Sequence, residues 1–321
     1  MILALITHDR GAVEETTWQA LTMARRLADD LGSPLHGIWV GDGLDQSSLG
    51  AHGVEVIHAA AGDDLDDYNP RAWARAVVAL ISTHEPVAVV AIGSDRGNEV
   101  MAHVGAMTGL PMVANVRAVE LGPTWKMLRT RWGGSLLEEA ELDAATSLLT
   151  VAEHVVAVEA ATSPTTPEVS PFQVDLDETD LVTKVIDRVV TRDGITLATA
   201  PVVVSGGRGV GSPEGFAPLE ELASLLGGVV GCSRVVTNNG WRPHSDQVGQ
   251  TGTVVAPDVY IACGISGAIQ HWVGMMASKT IIAVNTDAEA PMVTKADYAI
   301  LGDLSEIVPA IVDEVKRRRS G

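Results

Sequence analysis

The first 160 residues alternate short apolar runs with segments in which apolar residues recur at helical spacing. The runs that predict strands are ILALIT, LHGIWV, VEVIHA and VAVVAIG. The apolar positions of the first predicted helix are Trp18, Leu21, Ala24, Ala28 and Leu31. Gly32 is predicted to end that helix, and a second amphipathic helix is predicted over 70–83. This alternation predicts a parallel sheet with helices on both faces.

The pattern changes after the loop SDRGNEV, residues 94–100. A loop that follows a central strand is where α/β sheets bind ligands, but we favour a loop that only supplies the N-cap of a helix over 98–107. Three later runs, over 112–121, 126–131 and 148–158, predict antiparallel strands.

Residues 161–194 contain several prolines, Ser, Thr and acidic residues, with no periodic pattern. Such a composition is typical of an extended linker and crossing segment. We therefore predict two α/β domains, one over 1–160 and one over 195–321. Within the linker, 181–190 could form either a short helix or a short strand.

The second half begins with the buried strand PVVV and the turn SGGRG, and a helix is predicted over 216–226. The segment 247–285 then has the clearest order in the chain. It contains a loop, a strand over 258–263, the glycine turn GISG, a helix over 268–276 and a strand over 279–284.

A strand that passes through a glycine turn into a helix N-terminus presents unpaired N–H groups, which attract phosphate and other anions. This pattern alone predicts a dinucleotide-like ligand at a βαβ crevice. Ser266 would be the helix N-cap there, or a hydroxyl that faces phosphate.

Several side chains near this crevice have both a structural and a functional interpretation. Arg208 follows a strand in a glycine-rich turn, which suits a pyrophosphate site and a plain surface turn equally. Ser233 and Arg234 are typical of a helix cap beside a surface arginine. A lone histidine on an apolar helix face, such as His271, is more often a satisfied core residue. Trp272 is predicted to pack rather than to contact a ligand.

The strings VGQTG, GISGAIQH, VNTDAEAP and ADYAILGDL closely resemble the FAD-binding domain of electron-transfer flavoprotein alpha subunits. The resemblance continues upstream through SGGRGVGSPEGF and VGCSRVVTNNGWRP, and so covers 202–309 without a gap. It is looser over the first domain, where the order of elements agrees. The resemblance implies that the second domain is a doubly wound parallel sheet of the FAD- and NAD-binding type.

The resemblance also implies FAD as the cofactor and a set of residues that bind it. These are Arg208, Ser233, Arg234, Val248, Gly249, Gln250, Thr251, Ser266, Gly267, Ala268, Ile269, Gln270, His271, Asn285, Asp303 and Leu304. Three of them, Arg234, Thr251 and His271, would tune the flavin. A fixed cation at Arg234, close to the isoalloxazine ring, would raise the flavin's potential.

Other members of the set take more specific places by the same resemblance. Arg208 would contact the FAD diphosphate, and His271 would face the flavin C2 carbonyl region. Asn285, Asp303 and Leu304 would meet the ribityl–phosphate arm and the adenosine end. Asp303 could also be the N-cap of the last helix, and both roles can coexist.

The implied function is that of an electron carrier rather than a substrate-converting enzyme. The chain would be the FAD-carrying subunit of a heterodimer, with its first domain packed on an electron-transfer flavoprotein beta subunit. It would pass single electrons from acyl-CoA or related flavin dehydrogenases, as in fatty acid β-oxidation, toward a membrane quinone reductase. The alternative is an electron-bifurcating heterodimer that uses NADH and holds a second FAD in the beta subunit. A stand-alone dinucleotide-binding dehydrogenase would need an acid–base group in the crevice, and the pattern contains none.

Composition narrows the remaining possibilities. The net charge of −19 argues against nucleic-acid and anionic-membrane partners. No apolar run approaches the ~20 residues of a membrane span, and the chain opens on a strand-like run instead of a signal or transit peptide. We therefore expect a cytoplasmic protein without membrane insertion. Cys232 and Cys263 have no metal-ligand spacing, and we predict no metal site.

Overall fold

The computed structural model of the chain describes residues 1–183 and 195–319. The chain divides into two compact units. The first is made of Met1–Arg131 and Leu136–Val189, and the second of Trp132–Ser135 and Val190–Gly321. Each unit contains its own α/β sheet, and the predicted α/β class is confirmed.

The first unit contains short strands and four helices among its described residues. The strands are β1 (Ile2–Leu5), β2 (His8–Asp9), β3 (Ala12–Val13), β4 (Leu35–Val40), β5 (Val56–Ala60), β6 (Ala88–Ile92), β7 (Met112–Glu120), β8 (Trp125–Arg131), β9 (Leu136–Leu142), β10 (Ser147–Val151) and β11 (Glu168–Pro171). The helices are α1 (Thr17–Leu31), α2 (Gln46–Ala51), α3 (Pro70–His84) and α4 (Asp95–Thr108).

The main sheet of this unit has the strand order β11-β5-β4-β1-β6-β10-β7-β8-β9. Strands from β11 to β7 are parallel, whereas β8 and β9 add an antiparallel edge. β1, β6 and β10 are buried along their whole length, because helices cover both faces of the sheet. Strand order reverses beside β1, which lies between β4 and β6.

Local chemistry sets the helix ends in this unit. Gly32 ends α1 in the left-handed conformation, with φ 58°. Asn69 caps α3, in which Pro70 is the first residue. Ser94 caps α4, since its hydroxyl accepts a hydrogen bond from the Gly97 N–H at 3.3 Å. The expected N-cap is therefore present, but α4 begins at Asp95 rather than at residue 98, so most of SDRGNEV belongs to the helix and not to a loop.

The strands of this unit differ from the prediction in two ways. β10, within the run 148–158, was expected to be antiparallel, but it pairs in parallel with both β6 and β7. β9 was not predicted, because its sequence LLEEAEL is mostly exposed and lacks apolar alternation. The direction of β10 relative to β6 depends on the long connection between them, which contains α4 and the strands β7 to β9. Local sequence patterns do not reveal the path of such a connection.

The segment predicted to be a linker from residue 161 packs on the first unit instead, as far as it is described. β11 pairs in parallel with β5 and extends the sheet by one edge strand. Phe172 and Leu176 pack against the core. Asp180 is fully buried and accepts hydrogen bonds from Arg71 at 3.1 Å and Arg75 at 2.8 Å. Single anchoring side chains make these contacts, so the sequence carries no periodic signal of them. Of the alternative element over 181–190, residues 184–190 lie outside the described residues.

The second unit contains one sheet and five helices among its described residues. The strands are β12 (Val202–Gly206), β13 (Val229–Cys232), β14 (Val259–Cys263), β15 (Thr280–Asn285) and β16 (Tyr298–Leu301). The helices are α5 (Ala217–Leu225), α6 (Arg234–Asn238), α7 (Ile269–Trp272), α8 (Pro291–Lys295) and α9 (Leu304–Arg319), with 3-10 turns at Arg208–Val210, Glu214–Phe216 and His244–Asp246.

All strands of this sheet are parallel, in the order β13-β12-β14-β15-β16. One apolar cluster, which includes Phe216 and Leu219, covers one face, and a second, which includes Tyr260 and Met275, covers the other. The sheet is thus doubly wound, as expected. β12 lies between β13 and β14, and strand order reverses at that point.

The helix predicted over 268–276 is much shorter than expected, since α7 ends at Trp272. The chain then follows hydrogen-bonded turns up to Ser278. The predicted final helix is present as α9, whose last turn carries Lys316 to Arg319. Cys232 and Cys263 are buried free thiols.

No helix within 1–183 and 195–319 is long and apolar enough to cross a membrane. Within the same ranges, no three His, Cys, Asp or Glu side chains gather into a group that could hold a metal ion.

Candidate functional site

A cavity of about 560 Å³ opens at the carboxyl edge of the second sheet, where strand order reverses. Its volume is typical of small-molecule sites, which span about 300–1,000 Å³. The lining comes from the segments that follow β12, β13, β14 and β15. It consists of Arg208, Gly209, Ser233, Arg234, Val235, Asn238, Gly264, Ile265, Ser266, Ala268, Gln270, His271, Asn285, Asp287 and Ala290.

Close backbone packing explains the glycines that follow β12 and β14. A Cβ on Gly207 would lie 2.3 Å from the carbonyl oxygen of Gly264, and a Cβ on Gly209 would lie 2.7 Å from the Gly264 Cα. Gly264 also has φ +62°, a conformation that L side chains rarely adopt. The two glycine turns therefore pack backbone to backbone, and Arg208 is left exposed at the cavity.

Two exposed arginines line the cavity from different strands. Arg208 begins a 3-10 turn after β12, and Arg234 begins α6 after β13. Neither forms an ion pair with another residue in the part of the chain that the structure describes. Ser233 is the N-cap of α6, but its hydroxyl makes no capping bond. Two cations and an adjacent hydroxyl suit an anionic ligand such as a diphosphate.

The predicted residues over 248–251 lie outside the cavity lining and form a loop against its wall. A Cβ on Gly249 would lie 2.8 Å from the carbonyl oxygen of Gln270, and the Gln250 N–H donates to that carbonyl at 2.7 Å. The Thr251 hydroxyl accepts a hydrogen bond from the Gln247 side chain at 3.0 Å. Val248 is buried in the core of the unit. The loop thus fixes the backbone of Gln270, which lines the cavity.

The turn between β14 and α7 brings Ser266, Ala268 and Gln270 to the cavity. Gly267 has φ +82°, and a Cβ there would lie 2.3 Å from a backbone nitrogen of α8. Gly267 and the exposed Ile269 are not part of the lining. Ala268 is the N-cap of α7, so the capping role considered for Ser266 is corrected. The exposed Ser266 instead lines the cavity.

His271 lines the cavity as a buried side chain that is only 7% exposed. Its Nε2 lies 2.9 Å from the hydroxyl of Tyr260, and its Nδ1 is buried without a hydrogen bond. Burial lowers the pKa of His271 to about 4, against a smaller opposing effect of the Val248 carbonyl. The imidazole is therefore neutral near pH 7.

Asn285 lines the cavity at the end of β15 and organises two neighbouring turns. Its side-chain nitrogen donates to the Ile265 carbonyl at 3.0 Å, and its side-chain oxygen accepts from the Asp287 N–H at 3.1 Å. All three residues belong to the lining. The Asn285 side chain therefore holds two parts of the wall together.

Asp303 and Leu304 lie at the start of α9 and outside the cavity lining. The Asp303 carboxylate accepts hydrogen bonds from the Ser305 N–H at 2.8 Å and hydroxyl at 2.7 Å, and these bonds lower its pKa. The N-cap role foreseen for Asp303 is thus confirmed. The Leu304 side chain packs against Gly264, whose added Cβ would lie 2.7 Å from it.

The lining also contains residues that were not predicted individually from the sequence. These are Gly209, Val235, Asn238, Gly264, Ile265, Asp287 and Ala290. Most of them lie inside the strings SGGRG, GISG and VNTDAEAP, so the motifs contained the signal. Val235 and Asn238 lie on the short α6, inside the string VGCSRVVTNNGWRP, but no apolar periodicity marks them individually.

Two family models together match most of the chain. The "Electron transfer flavoprotein domain" matches residues 2–177, and the "Electron transfer flavoprotein FAD-binding domain" matches residues 196–276. The electron transfer flavoprotein subunit alpha of Thermoanaerobacterium thermosaccharolyticum is 33% identical over 96% of this chain and 95% of its own length. The subunit alpha of Mycobacterium leprae is 35% identical, over 99% and 98%. A Protein FixB of Clostridium saccharobutylicum is 35% identical, over 95% and 93%.

The chain belongs to the electron transfer flavoprotein alpha-subunit family. Its cofactor is FAD, and its role is in electron transfer. The resemblance drawn from the motifs is confirmed. The matched FAD-binding region ends at residue 276, so Asn285, Asp303 and Leu304 lie beyond it.

The cavity of this electron transfer flavoprotein subunit has the features that FAD requires. Arg208 and Arg234 provide positive charge for a diphosphate. The glycine turns around Gly209 and Gly264 allow close approach of a ligand to the backbone. The buried Nδ1 of His271 is a polar atom that the protein leaves without a partner. These residues fit the cofactor.

Proposed function

We propose that this chain is the FAD-holding subunit of a heterodimeric electron carrier, completed by an electron transfer flavoprotein beta subunit. It passes single electrons from acyl-CoA or related flavin dehydrogenases toward a membrane quinone reductase. The observation that carries the proposal is the pair of arginines, Arg208 and Arg234, that line the cavity without an ion-pair partner among the described residues and so suit an anionic cofactor. The first unit provides the surface for the beta subunit.

The cavity residues have distinct tasks in this proposal. Arg208, with the N–H groups of the adjoining glycine turn, holds the diphosphate. Ser233 and Ser266 add hydroxyl donors, and Asn285 keeps the wall beside the ribityl arm in place. Arg234 and His271 act at the ring end, where a cation and a neutral donor favour negative charge on the ligand.

Bound FAD supplies the redox chemistry itself, since it accepts electrons and passes them on. The ionisable residues of the lining are Arg208, Arg234, His271 and Asp287. His271 stays neutral near pH 7 because its pKa is about 4. Substrate turnover by proton abstraction would need a base with a pKa near the working pH. This set is suited to a carrier.

The deciding experiment co-produces the chain with its beta subunit and counts FAD in the purified complex. The complex is then reduced with an acyl-CoA dehydrogenase and its substrate, or separately with NADH. We expect one FAD per heterodimer, reduction by the dehydrogenase and reoxidation by a quinone reductase. Two FAD per heterodimer with reduction by NADH would replace the proposal with the electron-bifurcating alternative. Failure of both reductants would reject a carrier between these partners.

A further inference from the structure

Tyr260 and His271 form a buried polar pair beside the FAD cavity. Tyr260 lies in the middle of β14 and is fully buried, and His271 lies on α7 and lines the cavity. The Tyr260 hydroxyl and the His271 Nε2 are 2.9 Å apart, and the two rings meet edge to face with their centroids at 6.2 Å. The contact joins the central strand of the sheet to the wall of the cavity.

The protonation state of each partner limits how this hydrogen bond can form. Burial raises the pKa of Tyr260, so the phenol keeps its proton, and burial lowers the pKa of His271, so the imidazole is neutral. A neutral imidazole has one N–H and one bare nitrogen. Either the phenol donates to a bare Nε2, with the proton on Nδ1, or an Nε2–H donates to the phenol oxygen.

The surroundings of the phenol favour donation by Tyr260. The only hydrogen-bond partner of its hydroxyl among the described residues is the Nε2 of His271. If the imidazole donated through an Nε2–H, the buried phenol proton would have no acceptor, which is costly for a buried polar group. Donation by the phenol leaves Nε2 bare and therefore places the imidazole proton on Nδ1.

The remaining nitrogen gives this arrangement a function. Nδ1 of His271 is a buried polar atom without a hydrogen-bond partner in the protein. Buried polar atoms are nearly always paired, so an unpaired one beside a ligand cavity calls for a partner on the ligand. A neutral N–H donor binds an acceptor more strongly as negative charge grows on it, which happens when FAD is reduced.

We propose that Tyr260 is a positioning residue that donates to the His271 Nε2 and thereby keeps the imidazole proton on Nδ1 as a donor to FAD. The inference rests on the proposed role of His271 at the ring end of the cofactor. Tyr260 itself touches no ligand and acts only through the histidine.

Tautomer measurement tests the proposal directly. In the FAD-loaded heterodimer with ¹⁵N-labelled histidine, the two ring nitrogens of His271 are distinguished by NMR, and the His271→Gln variant identifies their signals. We expect a protonated Nδ1 and a bare Nε2 in the wild-type protein. Tyr260→Phe should move the proton partly or wholly to Nε2, whereas Tyr298→Phe, at a 65% exposed tyrosine, should leave it in place.

The midpoint potential of the bound FAD provides a second test of the same variants. In Tyr260→Phe, loss of the fixed Nδ1–H donor of His271 should lower the affinity for reduced FAD relative to oxidised FAD by roughly three- to tenfold. This change is measured as a lower midpoint potential. Tyr298→Phe should not change this ratio. A merely structural role of Tyr260 would alter the thermal stability and leave both the tautomer and the potential unchanged.

Two results would overturn the proposal: a proton on Nε2 in the wild-type protein, or an undiminished Nδ1–H in Tyr260→Phe. If Tyr260→Phe does not fold, the wild-type tautomer decides alone. The test is separable from the proposed function, because the tautomer is measured without any electron donor or acceptor. A heterodimer with Nδ1–H that accepts no electrons from the dehydrogenase would reject the function and keep the inference.

Discussion

The two units place different chemistry at equivalent points of their sheets. In each, one central strand lies where strand order reverses, a position at which α/β sheets bind ligands. In the first unit the chain's own side chains occupy this edge. Arg96 donates to the His8 carbonyl at 2.8 Å and lies 3.7 Å from Glu14, to which Ser94 donates at 3.2 Å.

His8 completes this self-contained arrangement. It is 2% exposed, stacks on Trp39 with ring centroids 3.9 Å apart, and its Nε2 is 2.8 Å from the Val40 carbonyl. In the second unit, by contrast, Arg208 and Arg234 face a cavity and have no ion-pair partner among the described residues. The same architecture thus becomes a structural junction when its charges are paired internally, and a ligand site when they are left for a ligand.

The largest effect should come from filling the glycine contact that shapes the cavity. Gly264→Ala adds a Cβ 2.7 Å from the Gly209 Cα at a residue with φ +62°. We expect a loss of about 3 to 5 kcal/mol in the free energy of unfolding of the second unit, together with loss of FAD. Gly211→Ala is the matched control, since Gly211 has φ +86° but open space around it, and should cost about 1 to 2 kcal/mol. Equal costs in urea unfolding would contradict the close-packing explanation.

The second effect concerns the change in the free energy of unfolding with pH, which has opposite directions for one buried group in each unit. The unfolded chain protonates His271 near pH 6.5, whereas the folded chain does so only at about pH 4. The stability that the neutral His271 contributes is therefore present above pH 6.5 and lost between pH 6.5 and 4, by about 3 kcal/mol. His271→Gln should flatten this slope in urea titrations followed by FAD fluorescence.

Glu153 in the first unit should make stability depend on pH in the opposite direction. Burial raises the pKa of its carboxyl to about 7, so its contribution is present below about pH 4.5 and lost as the pH rises to about 7. Glu153→Gln should therefore be stabilised relative to the wild type at pH 8 and not at pH 4.5.

For the second unit, an identical dependence of stability on pH in His271→Gln and the wild type would show that His271 is not the titrating group.

The third effect should come from removing the positive charge of Arg208 at the cavity. Arg208→Ala should weaken FAD binding roughly ten- to a hundredfold, because it removes the charge-assisted contact to the diphosphate that we propose for Arg208. Arg318→Ala removes the same charge from a side chain that is 76% exposed and distant in sequence from the lining, and should leave FAD binding unchanged. Fluorescence titration of FAD into the deflavinated heterodimer measures both. A similar loss in both variants would point to net charge rather than to a contact.

The fourth effect separates binding from tuning within the cavity. Arg234→Ala should retain stoichiometric FAD but lower the affinity for reduced relative to oxidised FAD by roughly tenfold, because our proposal places this cation at the ring end of the cofactor. Spectroelectrochemical titration gives the midpoint potential. An unchanged potential with full FAD content would remove Arg234 from the ring end.

The smallest effect lies in the first unit. Arg96→Ala breaks the bond to the His8 carbonyl and should cost about 1 kcal/mol in the free energy of unfolding, with no change in FAD content. Arg10→Ala is its control, because the Arg10 pair with Asp67 is exposed on both sides and should contribute little. Loss of FAD in Arg96→Ala would contradict the division of roles between the two sheet edges.

Local patterns predicted the elements whose evidence lies within a few residues. The run VAVVAIG became β6, the heptad-like spacing up to Gly32 became α1, and the GISG turn followed β14 as expected. The errors fall where the deciding contact is distant in sequence. β10 was assigned the wrong direction, and β11 was taken for part of a linker, because each pairs with a strand far away along the chain.

The candidate site shows the same division. Motif resemblance found Arg208, Ser233, Arg234, Ser266, Gln270, His271 and Asn285, all of which line the cavity. It also named the 248–251 loop and Asp303, which lie outside the lining and support the wall or cap α9. A motif match names residues by their place in a string, and it does not distinguish a residue that lines a cavity from one that holds such a residue in place.

The sequence by itself determined the α/β class, because apolar periodicity is a local property of the chain, and the motif strings of the second unit determined the family and its FAD cofactor through their resemblance to known proteins. Only the tertiary structure decided which charges are paired and which face a cavity, since this depends on contacts between strands that are remote in sequence. Arg96 and Arg208 illustrate the point. Both follow a buried strand and a glycine, yet one is paired within the fold and the other is left for a ligand.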